Sequence, residues 1–153
     1  MLVYFSLDVL AIACEIGDRG NEGVWLGNLG IAYKNQGHAS KAIEYYEQAL
    51  AIAREIGDRG NEGVRLGNLG VAYQNLGEAS KAIDYYEQQL RITKEIGDRR
   101  GEGNAQWNMS LTLDQLGNRT QAIECAKAAL KIREKIEDPR ADNVRRKLQE
   151  WGK

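Results

Sequence analysis

Apolar residues return along this chain at the spacing of one helix face. Val64, Leu66, Leu69, Val71, Ala72 and Tyr73 form one such run, and Ala82, Ile83, Tyr86, Leu90 and Ile92 form the next. Between them Asn75-Leu76-Gly77-Glu78 breaks the pattern, with a glycine suited to the left-handed residue that ends a helix. At a second break, Gly57-Asp58-Arg59, Gly57 can stop one helix while the Asp58 carboxylate accepts a hydrogen bond from an unpaired N–H of the next. No stretch alternates with period two, and no Asn-Gly pair joins apolar runs, so strands are not predicted. The pattern predicts helices over about 2–17, 20–36, 39–56, 59–76, 79–96, 99–116, 119–136 and 139–151. Pro139 is placed at the first position of the last helix, behind Asp138 as its cap.

The pattern repeats because the letters repeat. Residues 12–51 and 52–91 differ at nine positions: Cys14/Arg54, Trp25/Arg65, Ile31/Val71, Lys34/Gln74, Gln36/Leu76, His38/Glu78, Glu44/Asp84, Ala49/Gln89 and Ala51/Arg91. Residues 92–131 keep the skeleton with many letters changed. Self-similarity at this period predicts a stacked array in which each unit buries its apolar face against its neighbours. The expected organisation is one repeat domain over 1–153, with a partial leading repeat at 1–18, repeats at 19–57, 58–97 and 98–137, and a polar capping helix at 138–153. On this frame Met1 starts inside the second helix of a repeat, which leaves Leu2, Val3, Phe5, Leu7, Val9 and Leu10 short of a partner. The chain is therefore expected to be part of a longer array or to self-associate at this end.

Each copy carries a spelled signature. Leu66, Leu69, Gly70, Tyr73, Gly77, Ala82, Tyr86 and Leu90 stand where the first copy has Leu26, Leu29, Gly30, Tyr33, Gly37, Ala42, Tyr46 and Leu50. This resembles the tetratricopeptide repeat, strongly in two copies and in weaker form in the third, through Met109, Ser110, Leu113, Gly117, Ala122 and Ala126. The forty-residue period is longer than usual for that family and is similar to the branch found in Pins-type scaffolds and bacterial signalling proteins; kinesin light chains are a more distant likeness. The resemblance implies an all-α, right-handed α-solenoid of helix-turn-helix repeats. Independently of any family, Gly30, Gly70, Ser110, Ala42, Ala82 and Ala122 are small enough for paired helices to cross closely, with Tyr33, Tyr46, Tyr73 and Tyr86 filling the space around them.

Charge and composition narrow the function. A net charge of −1 gives no electrostatic footprint for nucleic acid. The two cysteines, Cys14 and Cys125, hold unrelated places in the repeat, and His38 is the sole histidine, so neither a disulfide framework nor a metal spacing is predicted. A cytoplasmic setting follows as the simpler expectation. The apolar start resembles a secretion signal but lacks its positive leading region, and Asp8 interrupts it; it aligns instead with residues 50–58. Neither membrane contact nor a cofactor is expected. The glycines recur inside helices, unlike a phosphate loop, and Glu44, Asp84, Glu47 and Glu87 have no apolar or histidine-bearing pocket to shift their pKa values. Catalysis is not predicted.

The family resemblance implies that the first helix of each pair lines a concave face where protein or peptide partners are recognised. The predicted peptide-binding residues are Gly27, Asn28, Ile31 and Lys34, their counterparts Gly67, Asn68, Val71, Gln74 and Asn75, and Trp107 with Asn108. Asn28, Asn68 and Asn108 form a regular row, and a carboxamide can both donate to and accept from a peptide backbone. Two roles stay open for the row: gripping an extended segment, or bonding to a neighbouring helix. Gly27 and Gly67 are expected to leave the groove floor low, and Trp107 to stand as an aromatic wall. With Lys34 as the one basic residue among these positions, a clamp for a C-terminal carboxylate is not expected. The alternative function is a structural spacer or self-assembly segment, associating as a homo-oligomer through its N-terminal half-repeat.

Overall fold

The computed structural model describes residues 2–152, with the side chain of Leu2 outside the description. The described residues form eight helices: α1 (Leu2–Glu15), α2 (Arg19–Asn35), α3 (Ala39–Glu55), α4 (Arg59–Asn75), α5 (Ala79–Ile96), α6 (Arg99–Gln115), α7 (Arg119–Lys135) and α8 (Ala141–Trp151). The turns follow the chemistry of the breaks. Gly17, Gly37, Gly57, Gly77, Gly97 and Gly117 take positive φ angles of 70–79°, the region where a residue without Cβ meets no steric cost. Asp18, Asp58 and Asp98 then cap α2, α4 and α6, each accepting a backbone N–H from three residues on. Only the start of α8 departs from expectation. Its cap is Arg140, and Asp138 and Pro139 precede the helix, because the Asp138 carboxylate is taken by the Arg140 backbone N–H and guanidinium. Glu137, where earlier copies have glycine, is the one non-glycine residue with positive φ among the described residues, at 54°.

Consecutive helices pack as antiparallel neighbours, and α4 also touches α6 directly, which sets the even-numbered helices on the inside of the curve. The core sits between the layers. Tyr46 and Tyr86 are fully buried, and each ring lies against a helix glycine: a Cβ at Gly30 would fall 2.4 Å from Tyr46 Cε1, and one at Gly70 equally close to Tyr86. In the third copy the pair becomes Ser110 and Ala126, both fully buried, so a larger residue on one helix accompanies a smaller one on the other. Tyr33 stacks on Tyr45, and Tyr73 on Tyr85, with ring centroids 5.3 Å apart.

Between paired helices, Arg19 of α2 bridges Glu55 of α3 at 2.5 Å, and Arg59 of α4 pairs with Glu95 of α5 in the same way. At the N-terminal end Leu10 packs against Leu26, Ala49 and Ile52, while Tyr4 and Phe5 stay 76% and 63% exposed. Phe5 meets Trp25 edge-on at 6.3 Å.

Candidate functional site

A groove of about 580 Å³ runs along the inner face from α4 across α6 to the start of α8. Of the sequence-predicted residues, it gathers Gly67, Asn68, Val71, Trp107 and Asn108. Asn68 and Asn108 are half-buried at equivalent turns of α4 and α6, and neither carboxamide has a hydrogen bond among the described residues. The alternative role for the row, tying one helix to the next, is thus unfilled. Gln89 adds a third unpaired group: its Oε1 is buried without a donor, and its residue lines the groove.

The remaining predicted residues fall elsewhere. Asn28 and Ile31 line a separate hollow with Phe5 and Trp25 beside α1. Lys34 and Asn75 are exposed beyond either hollow. Gln74 accepts the Tyr86 hydroxyl at 3.0 Å and so serves the core.

The expectation of a low floor at Gly27 and Gly67 is corrected. A Cβ at Gly27 would lie 2.1 Å from Arg65 Cζ, and one at Gly67 would lie 2.6 Å from Gln89 Nε2. These glycines make room for neighbouring side chains, not for a ligand. Letters that differ between copies therefore cover a glycine the copies share: where Arg65 comes from α4 to cover Gly27, position 49 is alanine, and where Gln89 comes from α5 to cover Gly67, position 105 is alanine. Burial pulls the Arg65 pKa below its ordinary value, against the smaller influences of Tyr46 and Asp58.

The groove is also less charge-poor than the inner-helix positions suggest. Arg100, Arg133 and Arg140 line it, with Asp98 as the one carboxylate among the described lining residues. Arg133 comes from α7, in the outer layer, and sits with its guanidinium 5.6 Å from the Trp107 ring centre. Trp107 itself joins the cluster around Leu113, Val144 and Trp151, so it is both packing and groove wall. A reading confined to first helices misses Arg133; comparing it with its counterparts Thr93 and Ala53 would have singled it out.

A sequence profile for the tetratricopeptide repeat matches residues 6–55 and 65–135. The chain belongs to the tetratricopeptide repeat family. No curated protein matches it. Among solved structures it is similar to the Signal Transduction ATPase with Numerous Domains (STAND) protein with a tetratricopeptide repeat sensor from Pyrococcus horikoshii. There the identity is 27% and the TM-score 0.83, over 93% of this chain and 22% of that protein's length. It is also similar to the tetratricopeptide repeat domain of Arabidopsis FLU, at 21% identity and TM-score 0.73, covering 76% of this chain and 98% of that one. The apo form of RapI superimposes with TM-score 0.90 at 17% identity, over 97% of this chain and 42% of RapI. The fold is the all-α, right-handed solenoid of this family, whose repeats generally bind protein partners. No helix among the described residues is long and apolar enough to cross a membrane, and no described group of three or more His, Cys, Asp or Glu is placed to hold a metal.

Proposed function

We propose that this tetratricopeptide chain is a non-catalytic interaction module whose concave groove grips an extended segment of a partner protein. The observation that carries this reading is the pair of free carboxamides, Asn68 and Asn108, facing one groove. Polar groups so placed are expected to find partners, and a peptide backbone offers a donor and an acceptor at each residue. Trp107 and Val71 supply apolar contact along the same groove. Asn28 and Ile31 line the separate hollow beside α1, and Lys34, Gln74 and Asn75 make no contact with the segment in this reading. In this reading 1–18 is a partial leading repeat, 19–57, 58–97 and 98–137 are the repeats, and 138–153 is the cap, in a cytoplasmic protein that needs no cofactor, nucleic acid or membrane.

The test is selection from a displayed random dodecapeptide library on the full chain, with an Asn68→Ala/Asn108→Ala variant alongside. Binders enriched on the wild type and lost on the variant are the expected result. Binders indifferent to both substitutions would place recognition elsewhere. One observation favours the second reading, assembly through the N-terminal end: both aromatic residues of α1, Tyr4 and Phe5, are exposed. Sedimentation that is independent of concentration, with or without Phe5→Ser, would remove that reading.

A further inference from the structure

We infer that the third-repeat end of the groove receives the carboxylate of an Asp or Glu side chain on the bound peptide, with Arg133 as its main partner and Asn104 and Arg100 beside it. This rests on the groove being a peptide site and specifies what that peptide must carry.

Arg133 is 3% exposed and lines the groove. Its Nε is buried with no partner. Its other two nitrogens reach neutral oxygens at the limit of hydrogen bonding, Nη1 to the Arg140 carbonyl at 3.4 Å and Nη2 to Asn104 Oδ1 at 3.5 Å. A guanidinium does not shed its proton to escape burial, and a buried cation is ordinarily paired. The nearby acids do not supply the pair. Asp138 is bound to Arg140 at 2.5 Å, and Asp98 accepts the Gly101 N–H at 2.9 Å as a helix cap. After burial itself, Arg140 lowers the Arg133 pKa further, and Asp138 opposes this with a smaller influence. Arg100, Arg133 and Arg140 thus stand against two carboxylates, Asp98 and Asp138, both already engaged elsewhere, and neither makes a hydrogen bond to Arg133.

The repeat supplies an independent line. Arg100, Asn104, Trp107 and Arg133 replace Gly60, Val64, Gly67 and Thr93 of the second copy, and Gly20, Val24, Gly27 and Ala53 of the first. Four departures scattered along 34 residues of sequence converge on one groove. They exchange small or apolar letters for two cations, an amide and an aromatic ring. That set suits a planar anion, since Arg and carboxylate match as two-pronged partners. A side-chain carboxylate fits better than a chain terminus, because Arg133 rises from the outer layer beneath α6 and a side chain projects away from the peptide backbone toward it.

The direct test uses small probes on the full, isotope-labelled chain, following the Arg133 Nε–H and Trp107 indole N–H resonances. N-acetylglutamate N-methylamide should shift both saturably, and N-acetylglutamine N-methylamide should not. Arg133→Gln should weaken the glutamate probe about tenfold or more, the loss of a charge-assisted hydrogen bond. Arg100→Gln, an exposed change that leaves the core alone, should weaken it by a smaller factor and serves if Arg133→Gln does not fold. Equal responses to both probes, or none at Arg133, would overturn the inference. So would tighter binding of N-acetylalanine, whose carboxylate is terminal. If library peptides bind through Asn68 while the glutamate probe has no effect, this inference fails and the groove reading stands. The reverse pattern overturns the groove reading, and with it the peptide as carrier of the carboxylate, leaving only an anion site at Arg133.

Discussion

Glu137 carries the left-handed backbone that glycine carries at Gly17, Gly57 and Gly97. For a residue with a Cβ this conformation costs about 1–2 kcal/mol, so Glu137→Gly is expected to raise stability by about 1 kcal/mol in urea unfolding. The helix glycines divide the other way. At Gly30 a methyl group would strike the buried Tyr46 ring, and Gly30→Ala should destabilise by about 1–3 kcal/mol. At Gly60 the nearest atom would be Asp58 Oδ1 at 3.6 Å, and Gly60→Ala should stabilise by about 0.4–1 kcal/mol through the unfolded chain. Equal effects of these two substitutions in the same denaturant series would contradict the assigned packing. The contrast marks what single letters reveal. Gly30 and Gly70 were legible as crossing points because the tyrosines recur beside them in register. Gly27 and Gly67 were not legible, because what covers them, Arg65 and Gln89, are the letters in which the copies differ.

The helices were legible almost throughout, since periodic apolar faces, glycine stops and aspartate caps all agree. Asp58 accepts the Asn61 N–H at 2.9 Å, and Asp58→Ala should cost about 1 kcal/mol, read from the thermal unfolding midpoint. The exception was the start of α8. Asp138 and Pro139 spell a helix entry, but the carboxylate finds the Arg140 guanidinium at 2.5 Å and the helix begins two residues later. The groove was legible by halves for a related reason. Inner-helix positions such as Asn68 and Asn108 follow from the repeat, whereas Arg133 reaches the groove from an outer helix. No local pattern encodes that reach; it depends on how α6, α7 and α8 pack.

Across the molecule, stability should depend on pH at both ends of the range. Hydrogen bonds from Asn61 hold the Asp58 carboxyl below its usual pKa, those from Asn21 do the same at Asp18, and the Arg19 guanidinium does so at Glu55. Their contribution is present above the unfolded carboxylate values near about 4 and is lost as pH falls below them. Burial pushes Tyr73 up to about 12, with help from the Glu47 charge. Its contribution is present below about pH 10, the unfolded tyrosine value, and is lost as pH rises toward the folded one. The melting temperature should therefore be level through neutral pH and fall on both sides; a continuous rise from pH 4 to 2 would contradict this.

The central claim is that the groove, and not an end of the array, meets the partner. Titration calorimetry of one library-selected peptide against wild type, Asn68→Ala and a Phe5→Ser control tests it most directly. The expected result is a loss of about 0.5–1.5 kcal/mol of binding for Asn68→Ala, with Phe5→Ser unchanged. Full affinity in Asn68→Ala together with a loss in Phe5→Ser would contradict the account.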